Sequence, residues 1–244
     1  MIDYAAARDV ARKKVIEYAT PPRAVAIVSG GMDSVTLAYH LKTLGYQLHM
    51  IAFDYGQRHR RELQAAQAIA ERLNADYTLV DLTSVGALLG GSALTSPEIP
   101  VPDGHYAQEN MRITVVPNRN AIMLTVAYGA AVAEGAKIVA TAIHAGDHAI
   151  YPDCRPEFAR LFDRMQAEAV AGFGDPDLHL YTPFIYRSKT DIVLEGAALG
   201  VPFADTWSCY KGGAVHCGTC GTCVERREAF QEAGITDPTV YAEG

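Results

Sequence analysis

The chain lacks an apolar run long enough to cross a bilayer. No stretch approaches the roughly 20 consecutive residues that a spanning helix needs, although 49% of the 244 residues are hydrophobic. A secretory signal is also missing, since the opening MIDYAAARDVARKKVIEYAT mixes acids with bases along its whole length. Basic residues are in deficit, 21 Lys and Arg against 28 Asp and Glu, for a formal net charge of −7. Neutralising nucleic-acid phosphates needs the opposite balance, so no stable nucleic-acid binding is expected beyond a local basic patch. Internal repeats and low-complexity tracts are absent, and 20% charged residues fit an ordinary folded chain. The expectation from these absences is a cytoplasmic protein with no membrane partner.

Cysteine is scarce but not scattered. Cys154 stands apart, while Cys209, Cys217, Cys220 and Cys223 fall within fifteen residues in the spacing C-x7-C-x2-C-x2-C. In a chain without an export signal, such a cluster points to metal rather than disulfides. Four thiolates this close can surround one Zn²⁺ tetrahedrally, with glycines after Cys217 and Cys220 letting the backbone fold around the ion. That coordination leaves no site for a reactive water, so the ion would be structural. Iron–sulfur clusters use similar spacings, and a colourless protein would separate the two. Cys154 has no His-Asn context to mark a nucleophile and reads as a buried thiol.

The local pattern alternates. A helix is expected over residues 1–20, ending before Pro21-Pro22. Then follow a strand at 24–28, a helix at 33–44 closed by Gly45, a strand at 48–53, a helix at 60–74 and a strand at 77–82. This order predicts an α/β fold, a parallel sheet with helices on both faces. Residues 86–116, dense in Gly, Pro and Ser, read as a long loop with the character of a lid. Beyond it come a helix at 119–134, a strand at 137–143, an irregular stretch at 144–158, a helix to about 171 and a short strand within LHLYTPF. Ser188 and Asp191 have capping-box spacing, Gly200 closes that helix, and a last helix starts near 223. The expected division is a helical extension at 1–20, a main domain at 21–200 and a metal-binding region at 201–244.

Between the first strand and its helix lies SGGMDS, Ser29 to Ser34. Paired glycines permit positive φ and close approach, and a helix N-terminus presents unpaired N–H groups to an anion. The stretch has neither G-x-x-x-x-G-K-[ST] nor G-x-G-x-x-G spacing, which excludes the P-loop lysine mechanism and the dinucleotide fingerprint. Taken from the residues alone, it is either a phosphate cradle or a plain strand-to-helix turn.

SGGMDS resembles the SGGxDS signature of the PP-loop pyrophosphatases, which cleave ATP between the α and β phosphates. Ser29, Gly30, Gly31, Asp33 and Ser34 match it position by position. The resemblance implies a Rossmann-like PP-loop domain whose ATP-binding run is Val28, Ser29, Gly30, Gly31, Met32, Asp33, Ser34, Val35, Thr36, Leu37 and Ala38, with Asp33 positioning Mg²⁺. Over about residues 24–230 the chain resembles the 7-cyano-7-deazaguanine synthase family, the QueC type, through SGGMDS, FDYGQRHRREL, VPNRNAIML, YPDCRPEF, TPF with SKTDIV, and TWSCYKGG with HCGTCGTC.

That resemblance implies an ATP-dependent ligase, cofactors ATP, Mg²⁺ and one structural Zn²⁺, a deazapurine acid and ammonia as substrates, and a homodimer. With no length left for a glutaminase domain, ammonia is expected free or from a separate partner. Asp33, Ser34 and Lys189 are the expected catalytic residues; Lys189 either reaches the α-phosphate or is a solvated helix lysine. Arg119 and Asn120 open a helix and contact the nucleotide or serve as caps. Asp54, Tyr55, Gln57 and Arg58 follow the second strand at the ligand edge. Asp147 or Asp153 would accept hydrogen bonds from the deazaguanine, and Tyr151 would stack on it. His144 and His148 read as hydrogen-bonding histidines rather than metal ligands. Competing readings are a related ligase that joins the activated deazaguanine to another amine such as a protein terminus, a PP-loop tRNA thiolase, and a zinc-ribbon binding module. The thiolase needs free catalytic cysteines and a basic face, and the binding module would release no pyrophosphate.

Overall fold

Five short strands form one parallel sheet. They are β1 Arg23–Ile27, β2 Gln47–Asp54, β3 Asp76–Asp81, β4 Ile138–Ala140 and β5 His179–Tyr181, in the order β3-β2-β1-β4-β5. The computed structural model describes residues 21–106 and 108–242, so the helix expected over residues 1–20 lies outside the described residues. Parallel strands need crossover connections, and helices supply the main ones: α1 Met32–Thr43, α2 Arg61–Leu73, the single-turn α3 Thr83–Leu88 and α4 Gln108–Met111, α5 Arg119–Glu134, α6 Pro156–Ala169, α7 Lys189–Leu199 and α8 Gly221–Glu232. Among the described residues, no helix is long and apolar enough to cross a membrane.

Alternation along β1 builds two cores. Ala24, Ala26 and Val28 face one side with Leu48 and Met50 of β2, against Val35 and Leu41 of α1, Ile192 and Val193 of α7 and Phe230 of α8. Val25 points the other way with Ile51 and Phe53, against Leu124, Ala127 and Tyr128 of α5 and Phe162 of α6. Each fully buried Leu, Ile or Phe contributes about 2–3 kcal/mol relative to exposure, which explains why both sheet faces are apolar. Residues beyond 200 share the first core, since Val201, Phe203, Ala229 and Phe230 pack with it; the 201–244 region is thus continuous with the main body in packing. Helix α1 ends at Thr43, one residue before its expected end, and Leu44 follows it exposed.

Element ends follow the local chemistry. The capping box forms at α7: Ser188 Oγ accepts from Asp191 N at 3.1 Å, and the Asp191 carboxylate accepts from Ser188 N at 3.0 Å. The expected strand at 137–143 shortens to three residues because the chain leaves the sheet after Ala140 to wall the cleft described below. The long 86–116 segment is partly buried. Arg58 donates to the carbonyls of Ala93, Ile99 and Pro97 at 3.0–3.2 Å, Leu94 is fully buried, and Gly104 N donates to Thr219 O at 2.9 Å.

The order 3-2-1-4-5 reverses direction between β1 and β4, where ligands enter open α/β sheets beyond the strands' carboxyl ends. SGGMDS lies there. Gly30 has φ +93°, and a Cβ placed on it would sit 2.1 Å from Glu62 O and 2.8 Å from Ala66 N of α2. Its bareness admits the backbone of α2 rather than a ligand. Gly45 also has a positive φ, +85°, but open space around it. Gly30→Ala should therefore lose about 3 kcal/mol or more in urea unfolding, through clash and strain together. Gly45→Ala, with strain alone, should lose about 1 kcal/mol.

Candidate active site

Gly31 is the N-cap of α1 and no side chain caps the helix, so its first-turn N–H groups keep their capacity for an anionic oxygen. Two hydroxyls flank that position. Ser29 Oγ accepts from Gly31 N at 3.3 Å and lies 3.2 Å from Ser34 Oγ, which donates to Gly31 O at 3.0 Å. Behind the loop, Trp207 N donates to Gly30 O at 2.9 Å.

Next to the loop is a mostly buried ion cluster. Lys189 Nζ, on the first residue of α7, lies 3.3 Å from Asp33 Oδ2 and 2.6 Å from Glu225 Oε2 on α8. Burial opposes the ammonium charge, but Asp33, Glu225 and then Asp147 outweigh it and hold the Lys189 pKa well above its ordinary value. His144 Nδ1 accepts from Gly146 N at 3.1 Å, which leaves Nε2 as the protonated nitrogen of the neutral ring. That atom is 3.6 Å from Asp147 Oδ2 and 3.9 Å from Asp33 Oδ2. Asp33 Oδ1 is buried with no hydrogen-bond partner.

The cluster opens into a cleft of about 220 Å³ lined at its other side by Tyr55, Tyr106, Tyr151, Tyr210 and Arg119. Burial raises the phenol of Tyr55 to about 12, and those of Tyr106 and Tyr210 well above their ordinary value. All stay protonated donors near neutral pH. Tyr106 Oη donates to Asp147 Oδ1 at 3.2 Å, and Tyr151 Oη meets Thr114 Oγ1 at 2.8 Å. Arg119 donates to Tyr55 Oη at 3.2 Å and lies over that ring at 5.6 Å. Cys154 lines the cleft as a buried thiol, its pKa pushed up by burial and its Sγ approached at 3.0 Å by Asn120 Nδ2. A thiol so placed is inert.

Of the expected site residues, Ser29, Asp33, Ser34, Lys189, Arg119, Tyr55, Asp147 and Tyr151 border this cleft. Four others point elsewhere. Asp54 accepts from Gly56 N at 3.1 Å and pairs with Arg60. Gln57 accepts from Tyr55 N and donates to Phe53 O and Glu62 Oε1. Arg58 is spent on the 93–99 carbonyls. Asp153 accepts from Asn120 N at 3.0 Å, satisfying a first-turn donor of α5 that Asn118 leaves uncapped. Within the expected nucleotide run, Met32, Val35, Thr36, Leu37 and Ala38 are buried on α1 beneath the loop. Sequence reasoning missed Glu225, Tyr106 and Tyr210. Tyr210 directly follows Cys209, and that adjacency was the available signal for it.

The four clustered cysteines come together, all Sγ atoms lying within 4.8 Å of one another. A tetrahedral ion with sulfur bonds of about 2.3 Å has edges of about 3.8 Å, and Cys217 Sγ is 3.9 Å from Cys223 Sγ. Thr219 N and Cys220 N point at Cys217 Sγ at 3.4 and 3.3 Å, the donor shell a thiolate ligand wants. The donor set fits one four-coordinate metal ion. Cys220 is the N-cap of α8, whose next residues include Thr222 on the cleft wall and Glu225 on Lys189. No other group of His, Cys, Asp or Glu among the described residues gathers this way.

A parallel sheet with an SGGMDS loop at its switch point and a lysine–aspartate pair beside it defines a nucleotide-loop α/β enzyme of the PP-loop class. The model of the queuosine biosynthesis protein QueC family matches residues 23–234, and the chain belongs to that family. It is 60% identical over 222 residues to a 7-cyano-7-deazaguanine synthase of Ruegeria sp., covering 91% of this chain and 94% of that one. Identity to the 7-cyano-7-deazaguanine synthase of Paracoccus denitrificans is 59% over 219 residues, 90% of this chain and 93% of that one. The fold is also that of an NMN synthetase from Francisella tularensis, with TM-score 0.50, 15% identity, and coverage of 97% of this chain and 83% of that one.

The purified chain is expected to carry one equivalent of metal by elemental analysis. Cys220→Ser should lose most of it and melt at a lower temperature, whereas Cys154→Ala should keep the full equivalent.

Proposed function

We propose that this chain is the ligase that converts 7-carboxy-7-deazaguanine and ammonia to 7-cyano-7-deazaguanine, consuming ATP and releasing AMP and pyrophosphate. The observation that carries the reading is the meeting of Asp33 and Lys189 at 3.3 Å beside the SGGMDS loop, at the mouth of a tyrosine-lined cleft, in a chain of this family.

The chemistry is dictated by poor leaving groups. A carboxylate is negative and would have to expel oxide to accept nitrogen. One carboxylate oxygen therefore attacks the α-phosphorus of ATP, the bond from that phosphorus to its bridging oxygen breaks, and pyrophosphate leaves. Ammonia adds to the carbonyl carbon, the bond to the AMP oxygen breaks and a proton is lost, giving the primary amide. The amide oxygen attacks the α-phosphorus of a second ATP, again with loss of pyrophosphate. Departure of AMP with the two nitrogen protons then forms C≡N.

The same residues serve both activations. Ser29, Ser34 and the first turn of α1 hold the departing pyrophosphate. Lys189 neutralises charge that builds on the α-phosphate, a preorganised electrostatic role. Asp33, with an unpartnered buried oxygen, would hold Mg²⁺, which when bound screens the phosphate charge. Tyr55 and Tyr151 offer faces for the deazaguanine ring. Asp147, which lines the cleft and accepts from Tyr106 Oη at 3.2 Å, would accept hydrogen bonds from the deazaguanine. Zn²⁺ is the ion proposed for Cys209, Cys217, Cys220 and Cys223, where it would fix the start of α8 and with it Glu225. The proposal includes a homodimer acting in the cytoplasm.

Incubation with ATP, Mg²⁺, ammonium and 7-carboxy-7-deazaguanine should give the amide and then the nitrile by mass spectrometry. Asp33→Ala should abolish both products, and Lys189→Ala should lower kcat by about 10²–10³-fold. An acid recovered unchanged from the wild-type reaction would overturn the reading.

A further inference from the structure

We propose that Arg119 is the receptor for the substrate's carboxylate, so that it favours the acid bound in the first activation over the amide bound in the second. The inference rests on the ligase reading above. Arg119 opens α5 on the tyrosine side of the cleft. Its side chain donates to Tyr55 Oη and overlies the Tyr55 ring, and it forms no ion pair among the described residues. The contrast with Arg226 is direct. That arginine, fully buried away from the cleft, is matched by Asp237 at 3.3 Å and by Phe203 O, Thr206 Oγ1 and Ser208 Oγ.

A guanidinium removed from water without a counter-ion is costly, and one facing a cleft is a receptor for an anion that arrives with the ligand. Two anions enter this cleft, the triphosphate and the carboxylate. The phosphate-type donors Ser29, Ser34 and Lys189 gather around Asp33. The groups around Arg119 are instead Tyr55, Tyr210 and Tyr151, with the carboxylate of Asp153 acting on it from beyond ion-pair distance while it accepts from Asn120 N.

A planar deazaguanine lying on tyrosine faces carries its 6-oxo group and 7-carboxylate on one edge. An arginine fork reads that edge of guanine by taking two acceptors at once. Here it would take the 6-oxo oxygen and one carboxylate oxygen, leaving the other free to attack phosphorus. In the amide the negative charge is gone, and hydrogen bonds to a charged acceptor are about twice as strong as those to a neutral one. Arg119 thus separates two substrates that differ by one group.

The test is ATP–pyrophosphate exchange without ammonium, run once with the acid and once with the amide. Arg119→Gln is expected to raise KM for the acid by about 30-fold or more while KM for the amide rises less than about 5-fold. Arg119→Lys, which keeps the charge without the fork, should fall between wild type and Arg119→Gln on the acid. It should retain wild-type melting and metal content, so it decides the matter if Arg119→Gln folds poorly. A parallel loss on both substrates, or no change on either, overturns the inference. If the wild type exchanges with neither deazaguanine, the ligase reading falls first and is seen to fall from the wild type alone.

Discussion

One buried ammonium ties the chemistry to the architecture. Lys189 is reached from the phosphate loop by Asp33 and from α8 by Glu225, and neither carboxylate alone places it. Removing three charges from water is tolerable only when they are matched closely. The match requires that α1, α7 and α8 meet at one point. The α7 capping box delivers Lys189 at the first helical position, and the cysteine knuckle delivers Glu225 from the other side. The region after residue 200 is therefore a wall of the cleft as well as the seat of the four-cysteine cluster.

The cleft divides its labour by environment. Near Asp33 it is charged, with hydroxyls and an open helix end. Near Arg119 it is made of phenols whose burial keeps them neutral, a setting that suits a flat heterocycle with donors and acceptors at its rim. Trp207 joins the phosphate loop to the knuckle, since its backbone N–H holds Gly30 while its indole Nε1 donates to Cys209 O at 2.9 Å.

Much of this was legible along the chain. The sheet could be read because its inner strands β1, β2 and β4 are largely apolar and are punctuated by helices with recognisable ends. SGGMDS and the cysteine spacing could be read because their chemistry is local. Glu225 could not, because in VERREAF it looks like one more charge on a solvated helix, and its partner Lys189 is 36 residues away. Asp54, Gln57 and Arg58 were located correctly at the end of β2, but position along a strand does not say where a side chain turns; theirs turn to backbone groups and to Arg60. The contacts of the 86–116 stretch with Arg58 and Thr219 could not be read, because a run of Gly, Pro and Ser carries no pattern that marks long-range partners.

The close seat of Gly30 against α2 carries a lesson about tolerance to change. The loop's shape is braced from behind by the carbonyl of Glu62 and the amide of Ala66, which belong to the main chain and not to any particular side chain. Side chains on the exposed face of α2 can vary without touching this brace, whereas Leu63, Ala66, Ile69 and Ala70 are held by the core and Glu62 by Gln57. A one-residue insertion in the first two turns of α2, remote from every reacting atom, would rotate the brace and reshape the grip on the leaving group.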